Sequence, residues 1–427
     1  MIMCDRRLKI EIHSEIGRLD AVLLHRPGAE VENMTPRNVQ RALYSDILNL
    51  SIAQKEYDQL YGTLSKVAAV HEVSDLLIKV LDNDKSREEL IRRICVSEGV
   101  IPYYETLMQM SSIELAKVLI EGLPARTDTL TAYFRNEYYA LYPLYNFYFT
   151  RDAAVTVGDK ALICRMANQV RMRESLIMNA IYRHSDVLEC EVIDANEQRD
   201  RYSSVIMEGG DIIVVREDVL VIGNGVRTTS QGIDFMVDGI CRNHPSGRFN
   251  ILVQQLPSEP ESFIHLDMAF TMLDRDKCMV FKPLIMQSNQ YQTVHILVED
   301  GAVRSISPVP GLLPALKSLG IDLEPVICGG KDEWDQEREQ WHSGANFFAF
   351  APGKVITYAR NVHTLEELDA HGFDIIRAED FIAGRYDDLI SDPDRRMAVT
   401  VNGSELPRGG GGARCMTMPL SRRKVNW

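Results

Sequence analysis

Glu208-Gly209-Gly210-Asp211-Ile212-Ile213-Val214-Val215 is followed by a short turn and then by Val219-Leu220-Val221-Ile222. Runs rich in Val and Ile, bounded by turn residues, read as strands, and two such runs so closely joined read as a hairpin. A polar cluster stands at the start of the first strand. The same pattern recurs three times. Arg151-Asp152 precedes Ala153-Ala154-Val155-Thr156-Val157, with a turn at Gly158-Asp159 and a second run Ala161-Leu162-Ile163-Cys164. His265-Leu266-Asp267 precedes Met268 to Leu273, a turn at Asp274-Arg275-Asp276 and Cys278-Met279-Val280-Phe281. Gly344-Ala345-Asn346 precedes Phe347-Phe348-Ala349-Phe350, a turn at Pro352-Gly353 and Val355-Ile356-Thr357-Tyr358. The starts lie about 55 to 80 residues apart, the mark of a repeated supersecondary unit. Units repeated around an axis bring every polar cluster to one central place and leave few open sheet edges. The alternative is a set of independent hairpins in a mixed α+β protein.

Outside the repeats the chain changes character. Ala21-Val22-Leu23-Leu24-His25 is strand-like and closes at Arg26-Pro27-Gly28. From about Val39 to Val70 apolar residues recur at threes and fours, which predicts a helix. From about Asp75 to Leu130 segments such as Arg87 to Ile94 and Ser112 to Ile120 predict a small all-helical block.

The chain has 427 residues, 45% of them hydrophobic, enough for a full core. No apolar run reaches the roughly 20 residues that span a bilayer. Met1 leads into Cys4-Asp5-Arg6-Arg7, so no secretory signal is expected and a cytoplasmic location is. The formal net charge of −14 argues against nucleic acid as a partner and fits a cationic substrate. The eight cysteines are scattered, with no metal-ligand spacing. Reduced thiols are expected, with no structural zinc.

The tail, Arg408-Gly409-Gly410-Gly411-Gly412-Ala413-Arg414-Cys415, presents a cysteine just after four consecutive glycines. Glycines let backbone approach a ligand closely, although such a run alone could equally be a hinge. A cysteine nucleophile needs an acid or base beside it, and His265 is the best candidate. The other repeat starts supply carboxylates: Asp152, Glu208, Asp211 and Asp267. Carboxylates around a thiolate raise its pKa, an arrangement that makes sense if the substrate brings positive charge. A guanidinium is permanently charged and planar, and two carboxylates can grip its fork of N–H donors.

At this point the sequence resembles the arginine deiminases, within the guanidine-modifying enzymes. The resemblance rests on Leu23-Leu24-His25-Arg26-Pro27-Gly28, Phe149-Thr150-Arg151-Asp152, Met207 to Asp211, His265-Leu266-Asp267, Glu339-Gln340-Trp341 with Gly344-Ala345-Asn346, and Gly411 to Thr417. It implies a five-bladed pseudo-symmetric α/β propeller of ββαβ units, formed by residues 1–74 and 136–427, with a helical insertion at 75–135. It implies hydrolysis of L-arginine to citrulline and ammonia through a covalent thiouronium on Cys415. His265 would be acid and base, Asp152 and Asp267 the guanidinium clamp, and Glu208 a contact that also orients His265. Asn146, Arg171 and Arg227 would hold the substrate carboxylate, with Phe149 beside its methylenes. From the residues alone, Arg171 and Arg227 could equally be solvated surface charges. No metal or organic cofactor, nucleic acid or membrane partner is implied, and a homo-oligomer is left open.

Three positions depart from the family pattern. Tyr44-Ser45-Asp46 stands where Phe-Asp-Asp is usual, Ala153 replaces a common proline, and Gly410 stands where some members carry an arginine that closes over the site. These bear on lid behaviour, affinity and substrate choice. The competing readings are an amidinotransferase, a dihydrolase-like enzyme and a non-catalytic arginine-binding protein.

Overall fold

The computed structural model describes residues 7–35, 43–44, 46–135, 138–197, 202, 204–243 and 246–427. Ser45 and Cys4 lie outside the described residues. The fold is mixed α/β. Five sheets share one pairing order: an antiparallel hairpin, then a helical crossover to a strand parallel to the hairpin's second strand. In the first, Ala154–Val157 and Lys160–Ile163 lead through the helix Met172–His184 to Glu191–Asp194. In the second, Ile212–Arg216 and Val219–Asn224 lead through Ser230–Asn243 to Arg248–Gln255. The third uses Phe270–Met272, Lys277–Val280 and Glu324–Ile327, and the fourth Phe348–Ala351, Lys354–Tyr358 and Arg396–Val401.

The fifth sheet escapes a linear reading because the two ends of the chain build it. Met418–Arg422, after the glycine loop, pairs antiparallel with Leu19–Leu24 near the N-terminus. Leu50–Val67 then crosses over to Ala69–Glu72. Two sheets are widened. The hairpin Thr293–Glu299 and Ala302–Val309 joins the second, and Phe373–Arg377 joins the fourth.

The hairpin at residues 212–222 shows why the sequence folds this way. Its register places Ile212 opposite Ile222, Ile213 opposite Val221 and Val214 opposite Leu220. Successive side chains alternate faces. Ile212, Val214, Leu220 and Ile222 enter one hydrophobic cluster, while Ile213, Val215, Val219 and Val221 enter another. Both faces are covered, which is why the strands read as continuous apolar runs. Each such side chain contributes about 1.5–3 kcal/mol on burial.

The long helix expected from Val39 starts at Leu50, where the Asn49 side chain accepts the Ile52 N–H as an N-cap. It ends at Val67, and Val70 lies on a strand. Residues 36–42 lie outside the described part. The predicted helical stretch holds Val73–Leu81, Asp84–Glu98, Tyr104–Met108, Ser112–Glu121 and Leu130–Arg135, but it is not all helical, because Leu123–Pro124 forms a short strand paired with Tyr139–Leu141. Leu76, Leu77, Ile91, Ile94, Leu115 and Leu119 pack in the same cluster as Ile177 and Ile181 of the first crossover helix. No helix among the described residues is long and apolar enough to cross a membrane.

Candidate active site

The polar clusters lie just before the strands, as the order of the runs suggested, and they do so in tight turns. Each turn is closed by a backbone hydrogen bond three residues back: Asp152 to Phe149, Asp211 to Glu208, Met268 to His265, Asn346 to Ser343 and Thr417 to Arg414. Such a turn brings side chains three apart, as Phe149 with Asp152 or Glu208 with Asp211, to one side, where an extended strand would put them on opposite faces. The first and fifth turns line a cavity of about 480 Å³ through Phe149, Asp152 and Cys415, and His265, Asp267 and Asn346 of the third and fourth lie buried against Asp152 and Cys415. The cavity is lined by Asn146, Phe149, Asp152, Arg171, Arg227 and Cys415, with Trp341 and Val226 exposed at its mouth. A second cavity of about 570 Å³ lies at the hairpin-turn end of the first two sheets, near Gly158 and Asp218, and holds none of the candidate residues.

Cys415 is 2% exposed. Its Sγ lies 3.8 Å from Asp267 Oδ2 and 3.2 Å from Asn346 Nδ2. Burial first, then Asp267 and Asp152, push the thiol well above its ordinary value. His265 is fully buried. Its Nε2 is 2.8 Å from Glu208 Oε2, and its Nδ1 is 3.7 Å from Asp152 Oδ1. Burial pushes the imidazole down, but Asp152, the Glu208 hydrogen bond and Asp211 outweigh it and raise it to about 9. Burial pushes Glu208 up, and Arg227 and His265 outweigh it, leaving its carboxyl at about 2. Burial dominates at Asp211 and lifts it to about 7. The resting site thus holds a protonated thiol and an imidazolium.

Arg171 and Arg227 are not solvated charges. Arg171 is 4% exposed. It donates to Asp152 Oδ2 at 2.7 Å, to Glu174 Oε2 at 2.8 Å and, at 3.4 Å, to the Asn146 carbonyl. Arg227 Nη1 lies 3.3 Å from Glu208 Oε2. Phe149 stands so close to the glycine loop that a Cβ at Gly411 would sit 2.4 Å from its ring. Ala153 is fully buried beside Asp152. Gly410 adopts φ +85°, with no atom within 4 Å of a Cβ placed there.

Four residues without a predicted role belong to this constellation. Arg414 turns away from the cavity and donates to Asp267 at 2.8 Å and to Glu15 at 3.0 Å. Burial would raise Glu15, but Arg414 and Arg151 hold it at about 2. Glu174 anchors Arg171. Asn346 had a signal in the sequence, because it opens the fourth repeat where others offer carboxylates. Glu15 and Glu174 had none.

Among the described residues, Asp152, Glu208 and His265 form the group whose donor atoms lie within 4.8 Å of one another. They could reach a metal ion, but both carboxylates are already paired with guanidinium groups. What the cavity and the residues directly behind it offer instead is a buried sulfur with two aspartates near it, an acid imidazole and further cations, a set suited to attack on a guanidinium carbon.

The architecture is that of enzymes that act on guanidino groups. The chain resembles SxtG, an amidinotransferase from Microseira wollei, at 11% identity and a TM-score of 0.53, covering 98% of both chains. It also resembles the substrate-bound N-terminal domain of ArgZ, a cyanobacterial arginine dihydrolase, at 12% identity and a TM-score of 0.51, covering 95% of this chain and 99% of that one. At such identities the likeness speaks for the fold alone. Sequence goes further. The profile of the arginine deiminases matches residues 40–422. The arginine deiminase of Bacillus cereus is 34% identical, covering 97% of this chain and 99% of the relative, and that of Latilactobacillus sakei is 32% identical over the same shares. The chain belongs to the arginine deiminase family, enzymes that hydrolyse the guanidino C–N bond of arginine.

Proposed function

We propose that this enzyme converts L-arginine to L-citrulline and ammonia with Cys415 as nucleophile and His265 as general acid and base. The observation that carries the assignment is that Cys415 and Asp152 line one cavity, with Asp267 directly behind the sulfur and the buried His265–Glu208 pair directly behind Asp152. A substrate guanidinium placed between Asp152 and Asp267 brings the positive charge that their carboxylates call for. It thereby removes the repulsion that keeps the thiol protonated, and the thiol proton is released to solvent water. Asp152 exchanges one guanidinium for another, releasing Arg171 to join Arg227 and Asn146 on the substrate carboxylate. Phe149 packs beside the methylenes.

Thiolate attack forms a C–S bond at the guanidinium carbon. The imidazolium of His265, oriented by Glu208, protonates the departing nitrogen, and the C–N bond breaks to release ammonia. Neutral His265 then takes a proton from water, whose oxygen bonds to the thiouronium carbon. Collapse of the adduct breaks the C–S bond and expels the thiolate, the hydroxyl proton returns the sulfur to its thiol, and citrulline leaves.

The reading extends to the architecture. The five sheets are blades of one ring: the first, second and fifth share one hydrophobic cluster, the second, third and fourth another, and the fourth and fifth a third. Residues 1–74 and 136–427 form this catalytic body, and 75–135 the helical insertion. Unpaired cysteines among the described residues agree with a cytoplasmic setting.

Incubation with L-arginine should yield citrulline and ammonia in equal amounts, and Cys415→Ala should yield neither. A folded wild type that forms no citrulline sinks the reading. Transfer of the amidino group to an amine would redirect it to an amidinotransferase, and more than one ammonia per arginine to a dihydrolase.

A further inference from the structure

Four of the five turns bring an ionisable group to the buried cluster around Cys415 and His265; the fourth unit brings an amide. Asn346 is 1% exposed. Its Oδ1 accepts the backbone N–H of Arg414 at 2.9 Å and of Cys415 at 3.2 Å. Two donors on that oxygen fix which end of the carboxamide is which, so the NH₂ group faces the sulfur. Nδ2 donates to Cys415 Sγ at 3.2 Å and to the Asp267 carbonyl at 3.3 Å, with Met268 Sδ at 3.7 Å. The loop is shaped around this side chain, since a Cβ at Gly412 would lie 2.7 Å from Asn346 Cβ and Oδ1.

We propose that Asn346 is a catalytic residue whose N–H donates to the Cys415 thiolate while its carbonyl oxygen holds the nucleophile's backbone in place. The charges around the sulfur explain why an amide stands here. Asp267 and Asp152 already disfavour the thiolate, and a third carboxylate would deepen that. A fixed donor offsets part of it in both halves of the reaction, when the thiolate attacks and when it departs. A hydrogen bond to a charged group is roughly twice as strong as one to a neutral group, so the bond strengthens as the proton leaves.

Asn346→Asp keeps an oxygen for the two backbone N–H groups and removes the donor. Asn346→Ser removes the amide without burying a charge. The readout is the pH dependence of iodoacetamide alkylation at Cys415, followed by mass spectrometry of its peptide, alongside kcat and KM for arginine. In both variants the alkylation midpoint should rise by about one pH unit or more, a tenfold or greater loss of thiolate at fixed pH. The shift should be larger for Asp. At neutral pH kcat should fall on the order of 100-fold and recover in part as pH rises, with KM little changed. Lost activity with an unmoved midpoint would overturn the proposal and leave Asn346 a structural loop residue. If Asn346→Asp does not fold, Asn346→Ser decides alone. The inference rests on Cys415 as nucleophile. Turnover surviving complete alkylation of Cys415 removes that reading, whereas turnover lost on alkylation with unmoved variant midpoints removes only the role of Asn346.

Discussion

Replacing Asp267 by Asn should have two effects of opposite sign, and that opposition is the test. Asp267 is fully buried, with one carboxylate oxygen 3.8 Å from the Cys415 sulfur and 2.8 Å from Arg414. In the free enzyme it repels the thiolate. Two unit charges 3.8 Å apart repel by about 4 kcal/mol at an effective dielectric of about 20, and by about 1 kcal/mol in bulk water. At about 1.4 kcal/mol per unit, Asp267→Asn should therefore lower the thiol pKa by about one to three units. Arg414 loses one partner, so its charge reaches the sulfur less screened and acts in the same direction. The resting variant should alkylate faster than wild type at neutral pH, at least several-fold. Turnover should move the other way. A guanidinium gripped by one carboxylate has lost charge-assisted hydrogen bonds of about 1.5–3 kcal/mol each, so kcat/KM should fall roughly 100- to 10,000-fold. Alkylation rates and steady-state citrulline formation measured on the same preparation give both answers. Faster alkylation with lost turnover supports the electrostatic account. Slower or unchanged alkylation would refute it, whatever happens to activity.

Other expectations follow from neighbouring contacts. The fold raises His265 from 6.5 to about 9, so its charged form stabilises the native state fully below pH 6.5, and that stability drains as pH rises through 9. Melting temperature should fall across that window, and His265→Gln should flatten the slope; an unchanged slope would mean that other groups titrate there. Glu208, held at about 2, should weaken the fold as pH falls below 4.5 toward 2, a loss absent in Glu208→Gln. Gly412→Ala should cost about 1–3 kcal/mol through its clash with Asn346 and should cut kcat, seen by thermal melting and citrulline assay. Gly410→Ala, two residues away, meets open space at φ +85°. It should cost about 1–2 kcal/mol for the left-handed backbone and leave kcat nearly unchanged.

Local chemistry made part of this molecule legible in its sequence. The hairpin 212–222 announces itself because both faces are buried over residues 212–215 and 219–222, so these runs are wholly apolar and the polar Arg216 and Asn224 fall only at the strand ends. Cys415 is legible as the proposed nucleophile because a cysteine after four glycines is a rare local pattern with a physical purpose. His265 is legible because it opens a repeat beside Asp267. The helix start at Leu50 is less so, because apolar spacing alone does not show where a cap ends a helix, and Asn49 decides that point through its side chain.

Partnership is a different matter. Arg171 could have been a surface charge until its contacts with Asp152 and Glu174 placed it inside. Arg414 lies 147 residues from Asp267 and 399 from Glu15, and Asn346 lies 69 residues from Cys415. Nothing in the spacing of those residues announces a contact. Even the fifth sheet exists only because the two chain ends meet. The sequence alone determined which side chains could do chemistry on a guanidinium and the strands and turns that carry them, because backbone preference and apolar period act over a few residues. The tertiary structure alone decided which carboxylate faces the sulfur, which guanidinium restrains it and which amide steadies the thiolate. Coulomb forces and hydrogen bonds act through space, between groups that only the closed chain brings within 4 Å.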